Sequence, residues 1–232
     1  MNKLGLVGGI GPASTIEYYR LAYGEYRSRV TDGSAPPIVI DSVDVNLMLN
    51  MIGKRQLPEV TEYLLGSVSN LANAGADFGL LAAHTPHIVF DAIARASPIP
   101  LISVVRTTCN AVARTGMTRV SLFGTRFTMS GRFYPDVFSE VGISIVPPLL
   151  GEQEEIHHLY TTELINGLVV PESRDRLLAI ARRLREDHDV QAVILAGTEL
   201  PPALKDSGDA SLHFLDPSVF HVRAAIDRML ES

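Results

Sequence analysis

Two stretches of the chain end in side chains that could hold a carboxylate and move a proton. Phe78-Gly79-Leu80-Leu81-Ala82-Ala83-His84-Thr85-Pro86-His87 and Ala192-Val193-Ile194-Leu195-Ala196-Gly197-Thr198-Glu199-Leu200-Pro201 each run from apolar residues through small ones to a threonine. His84 and Glu199 flank those threonines. Histidine is the side chain best matched to taking or giving a proton near neutral pH, and a carboxyl group does so when burial raises its pKa. Thr85 and Thr198 each add a hydroxyl and a nearby backbone N–H, both able to bind a carboxylate oxygen. They could equally serve as ordinary caps.

A third group lies at the start of the chain, where Gly8-Gly9-Ile10-Gly11 leads to Ser14 and Thr15. Backbone N–H groups left open between a strand and a helix form a ready place for an anion, so Gly9, Ser14 and Thr15 join the ligand-contact candidates. A dinucleotide fingerprint, the rival reading, fits poorly. Gly9-Ile10-Gly11-Pro12-Ala13-Ser14 lacks the third glycine, and Asp41 stands 30 positions beyond Gly11, where that fingerprint wants an acid at about 20.

These groups need strands to carry them. Short apolar runs bounded by turn residues and alternating with helical stretches are what a parallel sheet covered on both faces requires, and such sheets bind ligands at the carboxyl ends of their strands. The patterns predict strands over Lys3–Val7, Ile38–Val43, Asp77–Ala82, Leu101–Val104, Arg119–Phe123, Ser144–Pro147, Ala192–Leu195 and His213–Leu215. Helices are expected over 14–29, 57–74, 88–96, 107–115, 130–141, 152–166, 173–187 and from Ser218 to the end. From Gly8 to Ala83 is 75 positions and from Gly124 to Gly197 is 73, which suggests a duplicated unit. The expected fold is α/β, two pseudo-symmetric doubly wound parallel-sheet domains with the site in the cleft between them. Residues 1–104 plus 218–232 would form the first half and 105–217 the second.

Several segments together resemble the aspartate/glutamate racemase family, the cofactor-independent amino-acid racemases. Leu4 to Pro12 followed by Ser14-Thr15 and Tyr18-Tyr19 looks like the family's opening strand, glycine turn and helix. Phe123-Gly124-Thr125 with Thr128-Met129 is similar to the opening of its second half, and Leu215-Asp216-Pro217 leading to His221 to its closing segment. The two threonine tips resemble its Cys-Asn-Thr-x-His and Gly-Cys-Thr-Glu motifs. Aligned on Thr85, His87, Thr198 and Glu199, the two cysteines fall on Ala83 and Gly197. The resemblance implies pyridoxal-independent proton transfer at the α-carbon of a small amino acid or related carboxylate, with no cofactor or metal and a homodimeric assembly.

In the family a thiolate and a thiol flank the α-carbon, and alanine or glycine replaces neither. His84 and Glu199 become the candidate catalytic residues. Ala83, Gly197, Gly9, Ser14, Thr15, Thr85 and Thr198 are expected to line the ligand, with His87 and His221 in support. A lyase or cyclase on the same scaffold, or a carboxylate-binding protein without catalysis, are the alternatives. Restoring cysteine at both positions is expected to create α-proton exchange. Where some members carry an arginine and a lysine for a second substrate carboxylate, this chain has positions near Leu47 and Ile165, and Lys54 and Arg55 are the nearest cations.

Composition narrows the partners. The chain has 232 residues, 46% of them hydrophobic, and a net charge of −6 without a basic run, which disfavours nucleic acid and anionic membrane as partners. No apolar stretch approaches the ~20 residues that span a bilayer. The opening residues do not read as a signal peptide, and the single cysteine is compatible with a reducing cytoplasm. Cys109 is expected to be a buried apolar filler. His157-His158 near Glu152, Glu154 and Glu155 is expected to form a solvated acidic face, because adjacent helical residues point about 100° apart.

Overall fold

The computed structural model describes residues 1–205 and 208–231. Its eight strands are β1 (Leu4–Gly8), β2 (Ile38–Ser42), β3 (Phe78–Leu81), β4 (Leu101–Ile102), β5 (Arg119–Gly124), β6 (Ser144–Ile145), β7 (Ala192–Ala196) and β8 (Phe214–Leu215). They form two four-stranded parallel sheets ordered β2-β1-β3-β4 and β6-β5-β7-β8. The central strands β1, β3 and β7 are buried along their whole length and β5 beyond Arg119, whereas the edge strands are partly exposed. That difference explains the composition: a strand covered on both faces has no polar side to show, so it reads as an unbroken apolar run.

The chain divides into two compact units, Met1–Thr107 with the segment from Ser218, and Thr108–Pro217. In the first, Leu4, Leu6, Phe78 and Leu80 pack with Tyr18 and Tyr26 of α1 (Pro12–Arg29) and with Val222, Ile226 and Met229 of the carboxyl-terminal helix (Pro217–Leu230). In the second, Phe123, Val193 and Leu195 pack with Ile156 and Leu159 of one helix and Leu177, Ala181 and Leu184 of another. Each fully buried side chain of this kind contributes roughly 1.5–3 kcal/mol. The units also close their amino-terminal strand ends alike. Asp77 accepts from the Lys3 N–H at 2.7 Å, and Gln191, in the corresponding place, accepts from the N–H groups of Thr118 and Arg119 at 2.7 and 3.1 Å.

The remaining helices are α2 (Val45–Gly53), α3 (Leu57–Asn73), α4 (Phe90–Ala96), α5 (Val104–Ala113), α6 (Arg126–Ser130), α7 (Phe133–Ser139), α8 (Leu150–Thr162), α9 (Pro171–His188) and α10 (Leu200–Leu204), so the carboxyl-terminal helix is α11. Three differ from expectation. Helix α2 was not foreseen: its nine residues are a short, mostly apolar stretch of which Met48 and Ile52 are buried. What starts it is Asp44, whose carboxylate accepts from the N–H groups of Asn46 and Leu47 at 2.8 and 3.3 Å. The helix expected over 130–141 is the shorter α7, and α6 before it, which ends at Gly131 in extended backbone with ψ 152°, was not foreseen. Proline-containing α10 was not foreseen either. The expected last helix reached Ser232, which lies outside the described residues.

Candidate functional site

In both sheets the chain runs from an inner strand out to one edge and then returns to the other side, so the order reverses between β1 and β3 and again between β5 and β7. A crevice opens outside the carboxyl ends of strands at such a reversal. In the first unit these ends are Gly8 and the residues after Leu81. In the second they are Gly124 and the residues after Ala196. The fold therefore brings every tip residue singled out above to the carboxyl end of its own sheet.

The first tip is tightly cross-bonded. Gly9 has φ +79°, and a Cβ there would lie 2.7 Å from the Val43 amide nitrogen, so only glycine fits. Its N–H donates to Thr15 Oγ1 at 2.9 Å, and Thr15 donates in turn to the Gly11 carbonyl at 3.2 Å. Ser14 Oγ, buried, donates to the Ala82 carbonyl at 2.7 Å and ties the glycine turn to the end of β3. Ser14 and Thr15 thus hold the tip in shape with the hydroxyls that were expected to meet a ligand. Thr85 is buried at the start of a 3-10 turn over Thr85–Val89, and Ala83 beside it is half-buried.

Three histidines lie behind this tip. The Val104 N–H donates to His87 Nε2 at 3.3 Å, so the ring proton is on Nδ1, which donates to the Ala83 carbonyl at 3.0 Å. His221 Nε2, 2.9 Å from the Ile102 carbonyl, must be the donor there, leaving Nδ1 to accept from Tyr18 Oη at 3.0 Å. Both rings are neutral with each nitrogen used, which is a supporting role. Burial pushes His221 down to about 4 against the opposing pull of the Ile102 carbonyl, and holds His87 well below the usual range. His84 is 6% exposed, and burial, aided by His221, presses it down to about 3. It is a much weaker base than a free imidazole.

The second tip is built differently. Gly197 is buried, and the Tyr160 phenol from α8 lies directly over it. A Cβ at position 197 would stand 2.7 Å from Tyr160 Cζ and closer still to the hydroxyl. Tyr160 Oη donates to Glu199 Oε2 at 2.6 Å. Burial first, then the Glu199 carboxylate, raise the phenol pKa well above its ordinary value. Thr198 Oγ1 is buried with no hydrogen-bond partner. A buried hydroxyl without a partner costs stability and marks a place for an absent one. Thr198→Val is accordingly expected to leave the melting temperature of the free protein unchanged or slightly raised. A fall of several degrees would show that the hydroxyl is already satisfied.

At the tip of β5, Thr125 caps α6 by accepting from the Thr128 N–H at 3.3 Å. The next residue, Arg126, pairs with Glu154 at 2.6 Å, and its N–H donates to His157 Nδ1 at 3.3 Å. His157 therefore takes part in holding this loop, beyond the solvated face expected of it. Neither Tyr160 nor Arg126 was found from sequence. Tyr160 sits 37 positions before Gly197, beside Leu159 on α8, and nothing in the local pattern ties it to that tip. Leu47 and Ile165 are exposed and carry no charge, and Cys109 is buried.

The comparisons with known proteins agree over nearly the whole length. A family model described as Asp/Glu/Hydantoin racemase matches residues 7–225. A broad-specificity amino-acid racemase of Bacillus subtilis (strain 168) is 23% identical over 240 residues, with 98% of each chain covered. A Yersinia pestis protein solved as a candidate Asp/Glu racemase superimposes with TM-score 0.91 at 28% identity, and an aspartate racemase homologue from Pyrococcus horikoshii OT3 with TM-score 0.87 at 29%. All of each chain is covered in both cases.

Proposed function

Because the chain belongs to the Asp/Glu/Hydantoin racemase family, we propose that it binds a small amino acid or related carboxylate at its strand tips, without a cofactor, and that any proton transfer at the α-carbon proceeds without thiols. The observation that carries this reading is the orphaned Thr198 hydroxyl, buried at the carboxyl end of β7 beside a glycine. A carboxylate oxygen is the natural partner for a hydroxyl placed so. The reading is supported by the broad-specificity amino-acid racemase activity of the Bacillus subtilis relative and by a Francisella tularensis glutamate racemase, of the same fold, solved with D-glutamate.

On this reading Thr198 at the second tip, and Thr85 with the glycine turn at Gly9 at the first, are each the ligand-contact residues of their own unit, Ser14 and Thr15 support that turn, and His87 and His221 support the first tip. Of the two acid–base candidates, Glu199 is favoured over His84, whose low pKa leaves it little basicity. The working protein is taken to be a cytoplasmic homodimer. Ala83 and Gly197 carry no group that exchanges protons, which favours binding with slow or one-sided chemistry over rapid racemisation.

Proton NMR in D₂O with D- and L-amino acids tests the reading. Line broadening of one or more of them, relieved in a Thr198→Val variant by about a tenfold loss of affinity, is the expected result. Sharp lines for the whole panel would refute carboxylate binding.

A further inference from the structure

Tyr160, Gly197 and Glu199 form an arrangement in which each member explains the others. Glycine at 197 is required because the phenol occupies the space a side chain would enter, and the phenol is held there by the 2.6 Å hydrogen bond to Glu199. The adjoining Thr198 hydroxyl is buried and unpartnered. Tyr160 is itself 7% exposed, whereas Glu199 is half-buried. The second tip thus presents an O–H donor backed by a carboxylate next to an unfilled hydrogen-bonding position. Nothing comparable stands at the first tip, where Ala83 ends in a methyl group and the neighbouring histidines are buried and neutral.

We propose that Tyr160 and Glu199 are a proton relay that acts on one face of the α-carbon of a carboxylate ligand held at Thr198. In the forward step the C–H bond beside the ligand carboxylate breaks, and its electron pair stays on the ligand, delocalised into that carboxylate. The proton bonds to Tyr160 Oη as the phenol's own proton crosses to Glu199 Oε2. The reverse step returns a proton from Glu199 through Tyr160 to the same face.

The relay form follows from electrostatics. A phenolate beside the Glu199 carboxylate would place two negative charges about 2.6 Å apart in a buried setting, and burial first, with that carboxylate adding to it, holds the phenol pKa well above its ordinary value. Passing the phenol proton onward as the new one arrives avoids the doubly charged state. A carboxylate is a weaker base than a thiolate, so the ligand carbon must be acidified by a second group. The class implied is an α-substituted carboxylate whose α-carbon also bears an aryl ring or another electron-withdrawing group. A single group serving a single face returns the same enantiomer that it received.

The inference rests on the carboxylate-binding reading, and one experiment separates the two. D- and L-phenylglycine, D- and L-aspartate and D- and L-glutamate are each incubated with the protein in D₂O, and line broadening, α-proton loss and enantiomer ratio are followed together. Tyr160→Phe and Glu199→Gln are compared with the parent protein, their folding being checked by thermal melting. Expected is α-proton loss from one enantiomer of phenylglycine with no change in its enantiomer ratio. Each variant should slow it at least 100-fold while broadening persists. Binding without exchange, exchange of both enantiomers at similar rates, or parent-like exchange in Tyr160→Phe would overturn the relay and leave the binding reading intact. Absence of broadening with every probe would overturn the binding reading and the relay with it.

Discussion

Gly197→Cys is expected to destabilise the second unit by about 3–5 kcal/mol, although it restores the residue that the family motif carries at that place. The new Cβ would fall 2.7–2.8 Å from two ring carbons of Tyr160, inside van der Waals contact. Relief requires the ring to leave its buried position, which breaks its hydrogen bond to Glu199 and strands two polar groups. Ala83→Cys, at a half-buried position that already has a Cβ, should cost no more than about 1 kcal/mol. Chemical denaturation of the single variants, of Tyr160→Ala and of Gly197→Cys/Tyr160→Ala checks this. Once the ring is gone the cysteine should add little, giving a coupling above about 2 kcal/mol. Additive costs would show that Tyr160 does not exclude a side chain at 197. Exchange activity is therefore not expected from restoring both thiols alone, contrary to the expectation drawn from sequence.

Acidification is expected to weaken the first unit well before carboxylates titrate. His84, His87 and His221 are neutral in the folded state and held below the ordinary value of 6.5, His221 at about 4 and His84 at about 3. The unfolded chain binds a proton on each as the pH falls through about 6.5, and the folded chain does not. Stability contributed by neutral burial is thus complete above that pH and is lost progressively toward the folded-state values. Each histidine contributes a slope of about 1.4 kcal/mol per pH unit, so three together approach about 4 kcal/mol per unit near pH 5. Denaturation midpoints at pH 7, 6 and 5 read the effect. A midpoint flat over that range would mean that one or more of these rings already carries a proton or reaches water.

The central strands β1, β3, β5 and β7 were legible because burial on both faces forces a nearly continuous apolar run, and the edge strands because short apolar runs recur between the helical stretches. Their ends shifted by a residue or two, as at β3, where the expected Asp77–Ala82 is Phe78–Leu81. Asp77 precedes the strand because its carboxylate is spent on the Lys3 N–H. Helix α2 escaped notice because Val45–Gly53 is short and mostly apolar, too brief for its periodicity to stand out. Its Asp44 cap was the better clue.

At the site, sequence supplied the tips and tertiary structure assigned their work. Thr85, Thr198, His84 and Glu199 could be placed at strand ends from local pattern alone, since a parallel sheet sends its polar loop residues to one end. Whether a hydroxyl is spent or open depends on partners far along the chain: Ser14 is taken by Ala82, 68 residues away, and Thr198 is left without one. His84 has the right chemistry for a base in isolation, and its surroundings remove it. Tyr160 reads as one more apolar helix residue until the fold lays its hydroxyl over Gly197. By itself the sequence determined the α/β architecture and the family, because these are written in residue type and spacing. Only the tertiary structure decided what lies over Gly197 and which hydroxyls are already spent on the protein's own groups, because burial and hydrogen bonding are set by neighbours that the linear order does not reveal.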